Sequence, residues 1–230
     1  AEAFYVGFAP NEWRSLETRL REAQAPLELA KDLGLLRGTH SVDLFRNRIL
    51  FPLTDLRGKV LGFGGRLLPG ESQDGPKSLN SPESFVFSKS RFLYGLPQAQ
   101  KSIREKGSVI LLEGYFDVLS LHGIGISEAV GTCGTALTVD HLKMLRRFQA
   151  RVVVLFDGDR AGRDAQERAM RLALREGELL YGVEAPMGED PDTWARRAPD
   201  EVRLAVANPV CLLDYTLEQE LLECSKGPEA

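Results

Sequence analysis

Cysteine is scarce and poorly placed for cross-links or metal. Cys133, Cys211 and Cys224 are odd in number and widely spaced, with no CxxC pair and no nearby His. That excludes a disulfide framework and a zinc site, and leaves mostly packed, reduced thiols of a cytoplasmic protein. No apolar run approaches the length needed to span a bilayer, so no membrane partner is expected. A signal peptide is missing too, since Ala1-Glu2-Ala3-Phe4 offers neither a basic n-region nor an apolar h-region. An initiator Met is also absent, and the chain reads as an excised fragment. There is no basic excess, for the net charge is −4, which by itself argues against a nucleic-acid partner.

What is present is ordinary for a globular protein. The 230 residues are 43% hydrophobic and 27% charged, enough for one large domain or two small ones. Charge distribution is more informative than its sum. Residues 34–92 hold nine cations and five anions, a net of +4, which leaves −8 for the rest. A basic N-terminal half joined to an acidic C-terminal half could hold a polyanion against metal ions; ordinary surface charge would look the same.

Residues 10–36 read as helical, with Asn11 as N-cap, Trp13, Leu16 and Leu20 at helical spacing, and a second short helix from Pro26 stopped by Gly34. Residues 49–53 and 60–63 read as strands joined by a turn at 55–59, and 69–82 as a polar loop. After Lys106-Gly107 strands alternate with helices. Strands are expected at 109–112, 128–131, 152–156 and 179–185. Helices are expected at 117–122, 139–148 with Thr138 as cap, and 161–175, and a mostly helical tail at 200–224. The alternation predicts a parallel sheet with helices on its faces. The boundary between halves is placed near Lys101 to Gly107.

In such sheets, sites form at the carboxyl ends of strands. One strand ends Leu112-Glu113-Gly114 and another ends Phe156-Asp157-Gly158-Asp159. Neighbouring tips would crowd Glu113, Asp157 and Asp159 together, an arrangement that asks for cations between them. All-oxygen ligands favour Mg²⁺ or Mn²⁺, which also bind phosphates. On these three residues alone, a plain turn with an Asp helix cap is an equal alternative.

Further blocks carry a resemblance. Leu112-Glu113-Gly114-Tyr115-Phe116-Asp117-Val118, Gly131-Thr132-Cys133-Gly134-Thr135-Ala136-Leu137-Thr138 and Phe156-Asp157-Gly158-Asp159-Arg160-Ala161-Gly162 resemble the three blocks of the TOPRIM domain of bacterial DnaG-type primases. Phe45-Arg46-Asn47-Arg48-Ile49-Leu50-Phe51-Pro52-Leu53, Gly62-Phe63-Gly64-Gly65-Arg66 and Pro76-Lys77-Ser78-Leu79-Asn80-Ser81-Pro82-Glu83 resemble the basic subdomain that precedes it. The resemblance spans roughly residues 8–196.

The resemblance implies an α/β fold. Residues 1–106 would form a mixed α+β basic subdomain, and 107–196 a TOPRIM domain with a central, mainly parallel sheet. A helical C-terminal segment would follow at 197–230. It implies a nucleotidyltransferase that makes short RNA primers on single-stranded DNA from NTPs, with two or more Mg²⁺ or Mn²⁺ ions and no zinc in this chain. Glu113, Asp157 and Asp159 would be catalytic acids and metal ligands, with Asp117, Asp190 and Asp192 also lining the metal site. Arg46, Arg48, Arg66, Lys77, Asn80 and Ser81 would meet nucleotide and template. A replicative helicase and a zinc-binding module would be partners through domains outside this sequence. Ser78 departs from the family, which has Tyr there. A topoisomerase would need a Tyr nucleophile on another domain, and Tyr115 is better read as packed at a helix start. A receiver domain would need a companion Lys that is not found. The remaining alternatives are a TOPRIM nuclease and a non-catalytic single-stranded DNA-binding module.

Overall fold

The computed structural model describes residues 2–68 and 76–225, with side chains as far as Leu222. Residues 69–75 of the expected loop, and the Cys224 thiol, lie outside the described residues. The chain divides into two compact units, Ala1–Phe92 and Leu93–Ala230.

The first unit is built on a four-stranded antiparallel sheet. Its strands are β1 (Gly7–Ala9), β4 (Arg48–Thr54), β5 (Val60–Leu67) and β6 (Ser78–Asn80), in the order β1-β4-β5-β6. Between β1 and β4 come α1 (Ser15–Glu22), α2 (Leu27–Asp32) and a small hairpin of β2 (Leu36–Arg37) and β3 (Val42–Asp43). The hairpin turn at 55–59 is held by Asp55, whose carboxylate accepts the N–H groups of Arg57 and Lys59. Phe51 and Leu53 alternate inward from β4 and are almost fully buried.

The expected helix at 10–36 is therefore broken. α1 begins at Ser15, not after Asn11, and β1 precedes it. Its N-terminus is capped from a distance: the buried carboxylate of Asp43, on β3, accepts the N–H of Leu16 at 2.6 Å and of Glu17 at 3.1 Å. The second helix begins after Pro26 and stops before Gly34, where a φ of +67° suits glycine. The expected loop contains strand β6, paired with β5 from Gly64↔Asn80 to Arg66↔Ser78.

The second unit opens with α3 (Leu96–Lys106), bounded by Gly95 and Gly107, both left-handed. A sheet follows: β7 (Ser108–Leu112), β8 (Ala129–Gly131), β9 (Arg151–Phe156), β10 (Leu180–Glu184) and β11 (Val210–Cys211), in the order β11-β10-β9-β7-β8. All pairings are parallel except that of the edge strand β11. The connecting helices are α4 (Tyr115–Gly123), α5 (Val139–Arg146), α6 (Arg160–Arg175), α7 (Pro191–Arg197) and α8 (Pro199–Ala207), and α9 (Leu212–Ser225) closes the unit. The tail is thus helical apart from β11.

The central strands are buried on both faces, which is why they read as unbroken apolar runs. Val109, Leu111, Val154 and Phe156 join Ala99 and Ile103 of α3, Leu142 and Leu145 of α5, and Ala169 and Ala173 of α6 in one core. Ile110, Leu112, Val153 and Leu155 point the other way and are equally buried. Burying each such side chain contributes about 1.5–3 kcal/mol. Because α3 packs into this core, the contacts divide the chain at Phe92/Leu93, ahead of the boundary expected near Lys101 to Gly107. Among the described residues, no helix is long and apolar enough to cross a membrane.

Candidate active site

The order of strands decides where the site lies. β7 lies between β8 and β9; the chain steps from it to β8 on one side, then returns to β9 on the other. Connections leave the sheet in opposite senses at this point, which opens a crevice at the carboxyl ends of β7 and β9. Glu113 follows β7 and Asp157 follows β9, so strand order alone makes them neighbours.

Each acid has a local reason for its place. Gly114 is the N-cap of α4, and its N–H donates to Oδ2 of Asp117 at 2.9 Å. Oδ1 of Asp117 faces the Asp192 N–H at 3.3 Å, tying α4 to α7. Ser120 donates a short hydrogen bond to the Asp192 carboxylate, which also pairs with Arg196. Asp159 caps α6 by accepting the Gly162 N–H at 2.8 Å, and Asp190 caps α7 by accepting the Thr193 N–H at 2.7 Å.

Two glycines in the Asp157-Gly158-Asp159 turn are required by close approach. A Cβ on Gly158 would stand 2.1 Å from the Pro186 carbonyl oxygen, and one on Gly162 2.0 Å from that of Asp157. The bare Gly158 backbone donates to Glu189 O and accepts from Gly188 N. That exchange draws the 186–190 loop, and Asp190 with it, to the end of β9.

The result is a crowd of carboxylates. Burial, then Asp157 and Asp159, raise the pKa of Glu113, with Arg168 opposing. Burial, then Asp190 and Asp159, raise that of Asp157. Asp117 is pushed up to about 7 by burial first, and by Asp157, Asp190 and Asp192, against the Gly114 hydrogen bond. Neither the Glu113 nor the Asp157 carboxylate has a hydrogen-bond or ion-pair partner among the described residues. Among those residues no group of three His, Cys, Asp or Glu is drawn together on one point, and the caps turn oxygens of Asp159 and Asp190 toward the backbone. The donor set still fits a hard divalent cation: every donor is an oxygen, and the repulsion that remains beside Arg168 is what such an ion relieves.

The six acids expected from the sequence all lie in the second unit, near enough for their charges to raise Glu113, Asp117 and Asp157, but not gathered on one point. The six basic and polar candidates lie in the first, and most are engaged by it. Arg48 is 6% exposed and donates to Pro76 O at 2.8 Å and Lys77 O at 3.4 Å. Ser81 is 1% exposed, and its hydroxyl accepts the Phe63 N–H at 3.0 Å. Arg66 donates to the hydroxyl of Ser78, so the family's Tyr position here serves as a polar anchor. The Arg46 guanidinium lies 3.4 Å from the ring centroid of Trp13. Lys77 is exposed, and Asn80 sits half-buried on β6. The sequence reading did not single out Arg168, although its i, i+3, i+7 spacing with Arg171 and Arg175 on α6 was visible.

Comparisons with known proteins agree on one family. The family model described as DNA primase catalytic core, N-terminal domain, matches residues 1–100, and the Toprim-like family model matches residues 110–195. A DNA primase of Salmonella typhimurium strain LT2 is 41% identical over 218 residues, 91% of this chain and 37% of that protein. The chain therefore spans little more than a third of the curated relative. The RNA polymerase domain of Mycobacterium tuberculosis primase DnaG, solved with double-stranded DNA, matches with a TM-score of 0.88 and 32% identity, over 97% of this chain and 73% of that one. A DnaG primase catalytic domain bound to single-stranded DNA matches with a TM-score of 0.84 and 37% identity, over 96% and 71%. Matching sequence in both units, with the same fold carried along nearly the whole chain, means that this chain belongs to the bacterial DnaG-type DNA primases, within their RNA-polymerase core.

Proposed function

We propose that this chain is a nucleotidyltransferase that joins ribonucleotides from NTPs into short RNA primers on a single-stranded DNA template. The observation that carries the reading is the meeting of the Glu113 and Asp157 carboxylates, both without partners among the described residues, at the topological switch point of a parallel sheet. Single- and double-stranded DNA bound to related cores support DNA as the template.

Two or more Mg²⁺ or Mn²⁺ ions held by Glu113, Asp157 and Asp159, with Asp117, Asp190 and Asp192 beside them, would supply charge that acidifies a 3′-hydroxyl and neutralises departing pyrophosphate. Glu113 lies at the end of β7 with no hydrogen bond on its carboxylate among the described residues, and would take the proton of the attacking hydroxyl. Asp117 orients rather than reacts: it fixes the Gly114 turn below Glu113 and ties α7 to α4. Lys77, Arg46 and Arg66, with Asn80, would hold nucleotide and template phosphates, with salt-dependent affinity. Arg48 and Ser81 would serve that surface by shaping it.

The same reading divides the chain into a basic subdomain at 1–106, a catalytic one at 107–196 and a C-terminal segment at 197–230. It makes the protein a cytoplasmic partner of a replicative helicase and a zinc-binding module, through parts of the longer relatives that this chain does not span.

The test is synthesis from labelled NTPs on single-stranded DNA with Mg²⁺ or Mn²⁺, beside Glu113→Gln and Asp157→Asn. Metal-dependent RNA products that vanish in both variants are expected. Cleavage of nucleic acid without incorporation would replace the reading with a nuclease.

A further inference from the structure

The second unit also carries a groove that leads away from these carboxylates, with Glu113 on its lining. Its volume is about 700 Å³, and it opens beside Glu113. The loop after β8, residues 132–137, forms one wall; α6 forms the other, with Arg168, Arg171 and Arg175. Leu137, Phe156, Ala169 and Leu172 give it an apolar floor.

Spacings of three and four residues set the arginines in a row on one helix face, spanning about 10 Å from first to last. Arg171 is held by Glu167 through Nε and Nη2. Arg168 and Arg175 make no hydrogen bond or ion pair with the described residues. The groove lining therefore holds three cations against one carboxylate, Glu113. A solvated helix face would account for exposed arginines, but not for a cavity that runs from them to a reacting carboxylate.

We propose that this groove holds the 5′-triphosphate of the nucleotide that begins the primer, gripped by Arg168 and Arg175, an assignment that rests on the polymerase reading. A chain begun without a pre-existing 3′ end must join two nucleoside triphosphates. The 3′-oxygen of the first bonds to the α-phosphorus of the second. The bond from that phosphorus to its pyrophosphate oxygen breaks, the hydroxyl proton passes to a base, and pyrophosphate leaves with the electron pair. The first nucleotide keeps its own triphosphate, several negative charges that need cations other than those between the carboxylates. Guanidinium forks match phosphate oxygens in pairs, and the apolar floor suits the sugar and base edge.

The experiment measures equilibrium binding of two dinucleotides of one sequence, one 5′-triphosphorylated and one 5′-hydroxyl, to the whole chain at fixed salt and Mg²⁺. The triphosphate form should bind more tightly. Arg168→Ala and Arg175→Ala should each shrink that preference about tenfold, with Arg168→Lys recovering part of it. Lys101→Ala, a distant exposed cation paired with Glu105, should leave the preference as it was. Thermal melts of the exposed-arginine variants check that they fold. Equal binding of the two dinucleotides, a preference that survives both arginine substitutions, or an equal loss in Lys101→Ala would overturn the assignment. Extension of the 5′-hydroxyl dinucleotide on a template is read separately. Extension without a triphosphate preference removes the groove's role and leaves the polymerase reading standing. A preference without any extension keeps the groove and removes the polymerase reading.

Discussion

The two units treat their charged groups in opposite ways. In the first, Arg48 is buried and donates to two carbonyls, Ser81 accepts a backbone N–H, and Asp43 accepts two. These three buried polar groups are matched by partners and hold chain segments together. In the second, the carboxylates of Glu113 and Asp157 stand half-buried without partners among the described residues, and Asp117 carries a pKa raised to about 7. A matched group reports on the fold. Like charges crowded together without compensation cost stability, and their presence marks a place kept for something that binds.

The contrast can be broken or sharpened by substitution, taking the largest expected effect first. Gly158→Ala would drive a Cβ against the Pro186 and Ala185 carbonyl oxygens. It should lower unfolding free energy in urea by on the order of 3 kcal/mol and abolish primer synthesis. Unchanged stability would mean that the acid turn is not held by backbone approach. Arg48→Met removes the donor to Pro76 and Lys77, and should cost about 2 kcal/mol in the same measurement. A loss no greater than that of the exposed Arg57→Met would erase the structural role assigned to Arg48.

The acids should behave in reverse. Asp117 has a folded pKa of about 7 against an ordinary value of 3.8. Its protonated form is thus favoured by folding, and the folded state binds more protons between those values. The stability it contributes is fully present below pH 3.8 and is lost as pH rises through 7. Melting temperature of the metal-free protein should fall across that window and recover on adding Mg²⁺, and Asp117→Asn should flatten the slope. A melting temperature that rises through the window would refute the crowding. The smallest effect belongs to Glu113→Gln. Relief of like-charge repulsion should stabilise the metal-free protein by about 0.5 kcal/mol while primer synthesis is lost. Destabilisation instead would mean that Glu113 is matched after all.

Much of the second unit was legible because its signals are local. Val152 to Phe156 forms the strand its apolar run predicts, Thr138 caps α5, and Asp159 caps α6. A cap and an acid of the site are not exclusive at Asp159: its carboxylate caps α6 and lies near enough to raise Glu113. α3 was missed although Gly95, Pro97 and Gly107 bracket it and Leu96, Ala99 and Ile103 repeat at helical spacing. The first unit was harder because its order is supplied from afar. β6 is a strand only because β5 pairs with it, and α1 starts where it does because Asp43, more than twenty residues on, accepts its first N–H groups.

Sequence by itself determined the class of sheet, the acids at two strand ends and the family, because periodicity, caps and ordered blocks are written along the chain. Only tertiary structure decided that β7 and β9 are neighbours, that the 186–190 loop closes on Gly158, and that Arg48 and Ser81 face inward. The physical reason is one of range. Backbone preference acts over a few residues, whereas strand order, carboxylate repulsion and the matching of buried polar groups exist only once distant segments have met.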